Sequence, residues 1–417
     1  MSAIQICGGR PLKGRIRIQG SKNAVLPMMA ASILHEGTTV IENVPRIQDV
    51  SCMMGILEYI GCDCRMDGNT LTVQAEGKLK SYVPENFVCQ MRSSVILLGA
   101  LLGRTGRASI SYPGGCSIGK RPIDLHLAAL KQLGAVICED GKRIEAFSRG
   151  LCGGKIDLAF PSVGATENAL LGAVRAKGTT VINGAAKEPE IAAFCRFLSG
   201  MGAKIRGIGT GCLIIEGTGR FHDSVFSASG DRIVAGTYLM AAMAAGGELW
   251  ADGVDPKELS AVEQVLKAAG GEVGEAGNSI FVRMSGRPKP VTVDTGPYPG
   301  FPTDLQSPLL ALMAGADGKS RIVENIFEGR YETAAQLKKM GADISVEGKT
   351  AIINGREKLY GTEVEATDLR GGAALAAAAL AADGVTVIRK CRHIERGYED
   401  ICRDLREAGA DIRWTDD

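Results

Sequence analysis

Long hydrophobic runs, histidine and an excess of either charge are all scarce in this sequence of 417 residues. No apolar run approaches the roughly 20 residues of a membrane-spanning helix, so no membrane partner is expected. Lys and Arg number 48 against 47 Asp and Glu, without the basic excess typical of proteins that bind nucleic acid. Residues 1–20 carry scattered charges and no signal-peptide core, which favours a cytoplasmic location.

The pattern of potential metal ligands is equally poor. The four histidines lie far apart in the sequence, and no two cysteines have the C-x-x-C spacing of a zinc site. We therefore predict no metal site. The twelve cysteines are irregularly spaced, and without a secretory signal we expect reduced thiols rather than disulfides.

Glycine, in contrast, is abundant, with 55 residues, roughly twice the average share of about 7%. One pattern, Leu-x-x-apolar-Gly-small-x-(Ile, Val or Cys), occurs six times at nearly even spacing. Its glycines are Gly61, Gly134, Gly202, Gly270, Gly341 and Gly409. The period, about 70 residues, exceeds that of the common solenoid repeats. Each copy predicts the end of an amphipathic helix, a glycine cap and a following strand.

A second helix and strand precede each copy of this pattern. Examples of the strand are GTTVIENV from Gly37 and GTTVINGA from Gly178. Each repeat is therefore predicted to run helix, strand, helix, strand, strand. The sequence predicts an α/β protein in which three repeats form one compact domain and six form two. The alternative is one continuous stack of six units.

Polar or charged residues open the first helix of each repeat, where free backbone N–H groups attract anions. If quasi-equivalent loops of the two domains face one cleft, six cations would gather around a strongly anionic ligand. They are Lys22, Arg92, Arg121, Arg330, Arg370 and Arg396. The plainer alternative makes Ser21, Thr303, Asp304 and Asp368 helix caps, and each arginine a solvated surface charge.

The segment PGGCSIGKRPIDLH from Pro113 combines three glycines with a cysteine and two basic residues. Such glycine density is typical of a mobile lid. Lys120 and Arg121 follow Cys116 closely and would favour its thiolate or its use as a proton donor. The alternative, a buried inert thiol, is the interpretation we keep for most of the other eleven cysteines.

Six long strings in the right order resemble one enzyme family. They are GSKNAVLP from Gly20, PGGCSIGKRPIDLH, PSVGAT from Pro161, FPTDLQ from Phe301, ATDLRGGAAL from Ala366 and HIERGYED from His393. The family is that of the UDP-N-acetylglucosamine 1-carboxyvinyltransferases, which are enolpyruvyl transferases. The resemblance covers essentially the whole chain. It implies a two-domain inside-out α/β barrel, with residues 21–229 in the first domain and 1–20 plus 230–417 in the second.

The resemblance also implies roles for individual residues. Lys22 and Asn23 match the phosphoenolpyruvate site, and Cys116 matches the proton-donating catalytic cysteine. Asp304 matches the residue at the sugar 3′-hydroxyl, and Lys22 and Arg396 complete the catalytic set. The remaining matches bind the substrates: Arg92, Arg121, Pro122, Ile123, Asp124, Leu125, Ser162, Val163, Gly164, Ile326, Arg330, Asp368 and Arg370. In one departure, Phe160 stands where some members have a lysine that contacts the nucleotide.

The activity implied by the resemblance is transfer of an enolpyruvyl group from phosphoenolpyruvate to UDP-N-acetylglucosamine, the first committed step of peptidoglycan synthesis. It requires neither a metal nor an organic cofactor. Two alternatives stay open: the sister activity of 3-phosphoshikimate 1-carboxyvinyltransferase, and a non-catalytic relative that binds a nucleotide sugar. No oligomeric state follows from the sequence.

Overall fold

The repeat glycines end helices as predicted, because all six adopt the positive φ that glycine tolerates best, from 87° at Gly134 to 117° at Gly61. The structure is a computed structural model that describes residues 2–112, 118–119 and 121–416, with only the backbone described at residues 2 and 416. Cys116 and Lys120 lie outside the described residues. Within these ranges, no helix has the length and apolar character needed to cross a membrane.

The secondary structure follows the six repeats. The strands are β1 Ser2–Cys7, β2 Lys13–Arg17, β3 Thr38–Glu42, β4 Asp63–Asp67, β5 Thr70–Gln74, β6 Tyr82–Val83, β7 Arg107–Ser111, β8 Val136–Glu139, β9 Arg143–Phe147, β10 Lys155–Asp157, β11 Thr179–Asn183, β12 Lys204–Arg206, β13 Cys212–Glu216, β14 Ser224–Ser227, β15 Glu248–Asp252, β16 Glu272–Glu275, β17 Ser279–Arg283, β18 Thr292–Asp294, β19 Lys319–Val323, β20 Asp343–Glu347, β21 Thr350–Asn354, β22 Glu363–Glu365, β23 Val385–Arg389 and β24 Asp411–Asp416.

The α-helices are α1 Lys22–Ala31, α2 Gln48–Ile60, α3 Glu85–Val88, α4 Leu97–Thr105, α5 Asp124–Gln132, α6 Val163–Ala173, α7 Pro189–Gly200, α8 Arg232–Ala245, α9 Ser260–Ala268, α10 Gln306–Ala314, α11 Glu332–Lys339, α12 Leu369–Ala381 and α13 Ile401–Glu407. Short 3₁₀ helices lie at Ser32–Leu34, Arg92–Ile96, Pro256–Leu259, Thr303–Leu305 and Cys391–Arg396.

Contacts divide the chain into two compact units. The N-terminal lobe holds residues 20–112 and 121–229, and the C-terminal lobe holds residues 2–19, 118–119 and 230–416. Each lobe has its own hydrophobic core. The described residues form six four-stranded sheets, three in each lobe.

Each sheet repeats one order, for which β10-β11-β13-β12 serves as the example. Strand β10 lies parallel to β11, with Lys155 opposite Val181, while β13 is antiparallel to both β11 and β12. The prediction of five elements per repeat is therefore incomplete, because a short edge strand precedes the first helix. Four of the six such strands, β6, β10, β18 and β22, have only two or three residues and are too short for an alternating pattern.

The first helix of each repeat is buried on nearly every side. In α12 every residue from Arg370 to Leu380 is buried, and α12 packs against α8 and α10 in the C-terminal lobe. In the N-terminal lobe, α4 packs against α6. Helices therefore fill the centre of each lobe and the sheets cover it, which confirms the predicted two-domain inside-out α/β barrel.

Candidate active site

The charged cluster of the C-terminal lobe is centred on Asp304, in the 3₁₀ turn before α10. One carboxylate oxygen pairs with Arg330, and the other lies 3.0 Å from Nη2 of Arg370. Both arginines are 3% exposed, whereas the Asp304 side chain is 25% exposed. The carboxylate is thus held by two guanidinium groups rather than serving as a helix cap. The negative charges of Asp304 and Asp231 both act on the buried Arg370.

The capping alternatives have different outcomes at the three other positions. Asp368 does cap α12, since its Oδ1 accepts from the backbone N–H groups of Arg370 at 2.9 Å and Gly371 at 3.1 Å. The hydroxyl of Thr303 instead donates to Glu324. Ser21 makes no side-chain cap to α1. Asp368 therefore fixes the start of the helix that carries Arg370.

Glu324 is a buried residue that sequence reasoning missed. Its Oε1 accepts from the N–H groups of Ile326 at 2.7 Å and Phe327 at 3.0 Å, and its Oε2 accepts from Thr303 at 2.9 Å. It thereby shapes the loop that carries Ile326 and Arg330. The N–H of Ile326 is already bonded, so the carbonyl is the group it offers a ligand. The one signal in the sequence is an acid directly after the apolar pair that ends β19.

Arg396 ends the 3₁₀ helix Cys391–Arg396 in the same lobe. The backbone that follows is clamped by the buried side chain of Gln19: Nε2 donates to the carbonyl of Gly397 at 3.0 Å, and Oε1 accepts from the N–H of Glu399 at 2.8 Å. Burial and the nearby charge of Arg396 lower the pKa of His393, opposed by Asp368. His393 is therefore neutral at neutral pH.

In the N-terminal lobe, the first residue of α1 pairs with the first turn of α2. The ammonium of Lys22 lies 2.7 Å from Oδ2 of Asp49, and both side chains are buried. Asn23 is half-buried beside Lys22. The pair fixes the Lys22 side chain at the start of α1. Asp49 was not predicted, because the helix to which it belongs shows only an ordinary first-turn acid.

His126 lies among residues of this lobe that are predicted to bind the nucleotide sugar, and it too was missed. Burial and the charges of Arg92 and Arg121 lower the pKa of His126 to about 4, against a smaller opposing effect of Asp124. The ring lies against the turn that opens α6, because a Cβ on Gly164 would come within 2.7 Å of its Cε1. Only glycine admits the ring so close to this turn.

The remaining predicted binding residues of this lobe lie at the starts of α5 and α6. Ser162 caps α6 by accepting from the N–H of Ala165 at 3.3 Å, and Val163 begins the helix. Before α5, Pro122 is exposed and Ile123 is buried, and in the first turn of α5 Leu125 is half-buried. Phe160 is 43% exposed, and its carbonyl accepts from the N–H of Ser162 at 2.7 Å. An exposed aromatic ring thus occupies the position where some members have a lysine.

The glycine-rich segment is described only at Ile118 and Gly119 and from Arg121 onward. Ile118 and Gly119 group with the C-terminal lobe, where the carbonyl of Ile118 accepts from the N–H of Gly329 at 3.0 Å. Gly119 has a φ of 115°, and a Cβ there would lie 3.1 Å from the nitrogen of Gly329. The segment therefore needs glycine where it meets the loop that carries Arg330.

Neither a metal cluster nor a disulfide occurs among the residues that the structure describes. Eleven free cysteines lie in that part of the chain, and burial raises the pKa of Cys62 and Cys195 to about 12. Such thiols stay protonated and unreactive at neutral pH.

Comparison with known proteins identifies the family to which this chain is similar. The sequence profile of EPSP synthase (3-phosphoshikimate 1-carboxyvinyltransferase) matches residues 6–405. The chain is 46% identical to UDP-N-acetylglucosamine 1-carboxyvinyltransferase 2 of Caldanaerobacter subterraneus subsp. tengcongensis, over 99% of both chains. It is 44% identical to UDP-N-acetylglucosamine 1-carboxyvinyltransferase of Corynebacterium efficiens, over 97% of this chain and 96% of that protein.

The chain belongs to the enolpyruvyl transferase family. Within that family it groups with the UDP-N-acetylglucosamine 1-carboxyvinyltransferases, which confirms the resemblance seen in the sequence. A solved enolpyruvyl transferase, NikO from Streptomyces tendae, has the same fold, with a TM-score of 0.90, 27% identity and 99% coverage of both chains.

Proposed function

We propose that this enolpyruvyl transferase moves the enolpyruvyl group of phosphoenolpyruvate to the 3′-hydroxyl of UDP-N-acetylglucosamine and releases inorganic phosphate. The observation that carries the proposal is the partly exposed carboxylate of Asp304, held between the buried Arg330 and Arg370. Curated relatives at 42–46% identity over nearly the full length, which bear the name of this activity, support it.

The reaction proceeds by addition and elimination. The hydroxyl oxygen bonds to C2 of phosphoenolpyruvate, its proton goes to a carboxylate, and C3 takes a proton from an acid. The tetrahedral intermediate then loses a proton from C3, the C2–O bond to phosphate breaks, and the double bond forms again. Cations stabilise the carboxylate and the departing phosphate throughout.

Asp304 suits the role of the carboxylate that accepts the hydroxyl proton, because its position is fixed before the substrate arrives. Arg330 and Arg370 hold the carboxylate in place, so it orients the hydroxyl first. It takes the proton only as the new C–O bond makes that hydroxyl strongly acidic. Its exposed fraction leaves room for the acceptor, and Arg330 and Arg370 hold the geometry.

The N-terminal lobe supplies the binding groups in this proposal. The start of α6 offers unpaired helix N–H groups to the diphosphate, beside Arg92 and Arg121. Residues 121–125 carry the uridine, and Lys22 binds the phosphoenolpyruvate phosphate. The exposed ring of Phe160 offers apolar contact without the charge that a lysine would bring there.

Cys116 is proposed as the acid that protonates C3. A thiol beside basic residues is also open to alkylation, so the epoxide fosfomycin, which imitates phosphoenolpyruvate, is expected to label it. Labelling should be selective among the twelve cysteines and faster with UDP-N-acetylglucosamine bound. The proposed cellular role is the first committed step of peptidoglycan synthesis in the cytoplasm, on which cell shape and division depend.

The second candidate is transfer to 3-phosphoshikimate, which the name of the matching family profile favours. Phosphate release measured with each acceptor separates the two. We expect turnover with UDP-N-acetylglucosamine and none with 3-phosphoshikimate. The reverse result would replace the proposal, and release with neither would point to a non-catalytic protein.

Asp304→Asn tests the residue that carries the proposal. Loss of the proton acceptor should lower turnover roughly 100-fold or more, with UDP-N-acetylglucosamine still bound. A modest fall in melting temperature is also expected, because two buried arginines lose their counter-charge. Asp294→Asn is the matched control: its side chain is 64% exposed and lies 3.6 Å from Arg321. Normal turnover of Asp304→Asn would reject Asp304 as the acceptor.

A further inference from the structure

Asn168 is an entirely buried side chain in the middle of α6, and each of its amide atoms is hydrogen-bonded. Its Oδ1 accepts from the backbone N–H of Gly99 at 2.7 Å. Its Nδ2 lies 3.0 Å from the carbonyl oxygen of Val95 and 2.8 Å from Nδ1 of His126. The amide therefore joins α6 to the start of α4 and to the histidine of α5.

These partners settle which end of the amide is oxygen. The backbone N–H of Gly99 can only donate, so the atom facing it must accept, and that atom is the oxygen. The carbonyl of Val95 can only accept, so the atom facing it must be the NH₂ group. The two assignments agree, and a flipped amide would break both bonds.

The orientation of the amide decides the tautomer of His126. The Asn168 NH₂ group is a donor, so the Nδ1 atom that it faces must accept and carries no hydrogen. In a neutral imidazole the hydrogen then resides on Nε2. A doubly protonated ring would point a second N–H at the NH₂ group, so the contact also disfavours the charged form.

The Nε2 edge of the ring faces the opening of α6. A Cβ built on Gly164 would lie 2.7 Å from Cε1 and 3.1 Å from Nε2, but 3.8 Å from Nδ1. The first N–H groups of an α-helix have no partner within the helix. The protonated Nε2 therefore adds a side-chain donor to the backbone donors at this helix end.

We propose that Asn168 is a positioning residue, which holds His126 as a neutral Nε2–H donor toward an anion at the start of α6. The part that names the anion as the diphosphate of a nucleotide sugar rests on the proposed function. The charged groups around the ring are Arg92, Arg121 and Asp124. Because His126 is neutral, the arginines supply the positive charge and the ring supplies one N–H donor in a fixed direction.

The first test reads the tautomer without any ligand. Nitrogen NMR of protein labelled at histidine needs to resolve only four side chains, and His126→Gln identifies the signals of His126. We expect a protonated Nε2 and an unprotonated Nδ1 at pH 7. A hydrogen on Nδ1 in the wild-type protein would overturn the proposal outright.

The second test removes the NH₂ group by which Asn168 fixes the tautomer of His126. In Asn168→Asp a carboxylate can still accept from Gly99, but it loses the donor to Val95 and also accepts from Nδ1, which should move the hydrogen there at a pH at which the ring is neutral. The same nitrogen NMR finds that pH, and binding is measured at it. We expect UDP-N-acetylglucosamine to bind about tenfold more weakly or worse, the usual cost of one hydrogen bond to a charged group. Asn86→Asp adds the same charge at an exposed site of the same lobe and should bind normally.

A pair of variants at His126 covers the case in which Asn168→Asp does not fold. Glutamine keeps an N–H donor near the position of Nε2, whereas the shorter asparagine does not reach it. His126→Gln should bind UDP-N-acetylglucosamine within a few-fold of wild type, and His126→Asn about tenfold more weakly. Equal affinities would overturn the role of the donor. If the wild-type tautomer is as expected but UDP-N-acetylglucosamine does not bind, the proposed function fails. The role of Asn168 in fixing the tautomer of His126 is then still supported.

Discussion

Three carboxylic acids lie close together in the third repeat of the N-terminal lobe, and they cannot all be charged at low cost. Glu167 lies in α6, and Glu188 and Glu190 lie at the start of α7. Burial, followed by the charges of Glu190 and Glu188, raises the pKa of Glu167 to about 8. Glu167 is therefore mostly protonated in the folded protein at neutral pH, although it ionises near pH 4.5 in an unfolded chain.

This shift predicts how stability depends on pH. Between pH 4.5 and 8 the folded state holds a proton on Glu167 that the unfolded state has lost, so stability falls as pH rises through that window. Above pH 8 the contribution of Glu167 is gone and the curve flattens. The melting temperature should fall by several degrees, since each pKa unit corresponds to about 1.4 kcal/mol.

Glu167→Gln should remove this part of the decline, because glutamine keeps the shape of the protonated acid without its ionisation. Melting temperatures at half-unit steps from pH 4.5 to 9 measure it. Glu145→Gln, on an exposed strand position of the same lobe, makes the same charge change and should keep the wild-type slope. A Glu167→Gln slope equal to that of wild type would contradict the raised pKa.

The contacts of individual residues also explain which site residues could be found from the sequence. Lys22, Asp304 and Arg370 stand in recognisable strings. Asn168 does not, because its meaning depends on partners 42 and 69 residues away in the chain. A buried amide in an apolar helix gives no local signal of the contacts it will make. Asp49 was missed for the same reason, because its partner Lys22 begins a different helix. Glu324 was missed because its nearest partners are backbone N–H groups of the following loop, which no side-chain pattern marks.

At the scale of elements, the central helices depend on small residues where their backbones approach. Gly99 of α4 faces α6, and a Cβ there would lie 2.5 Å from the carbonyl oxygen of Asn168. That oxygen belongs to helix backbone, which cannot move without shifting the whole helix. The abundance of glycine thus reflects packing as well as turns.

Gly99→Ala should destabilise the protein by about 1–3 kcal/mol, the usual cost of overpacking a core. This would occur although alanine favours a helix by up to about 1 kcal/mol. Gly200→Ala is the control, because α7 includes Gly200 and a Cβ there meets nothing within 4 Å. Urea unfolding should show Gly200→Ala unchanged or more stable. Equal stability of the two variants would mean that the helices can separate without cost.

The order of elements within a repeat was predictable only where a local pattern exists. Helix ends are marked by glycine, and the hairpin strands alternate, as the buried Leu213 and Ile215 show in β13. The edge strands β18 and β22 have no such pattern, because each contains three residues. They become strands by pairing with β19 and β23, whose sequences lie some distance further along the chain.

At the scale of the whole molecule, residues from opposite ends of the sequence complete one sheet. Strand β1 lies between β23 and β24, with Ile4 opposite both Ile388 and Trp414. It takes the place that a hairpin strand fills in the other sheets, as in the order β22-β23-β1-β24. Ile4 and Ile6 are fully buried in the core of the C-terminal lobe. Because this pairing spans nearly the whole sequence, its loop-closure entropy makes it slow to form.

Deletion of residues 1–8 should therefore damage the C-terminal lobe selectively. It removes two buried isoleucines, each worth roughly 2–5 kcal/mol on truncation, and leaves the edges of β23 and β24 unpaired. Amide hydrogen exchange, read peptide by peptide, should show protection lost in β23, β24 and α12. Peptides of β11 and β13, in the N-terminal lobe, should keep their protection.

Ile182→Ala, in the core of the N-terminal lobe, is the corresponding control and should lose protection in β11 and β13 first. Equal loss in both lobes after the deletion would show that the two cores unfold as one cooperative unit, despite the separate packing of each.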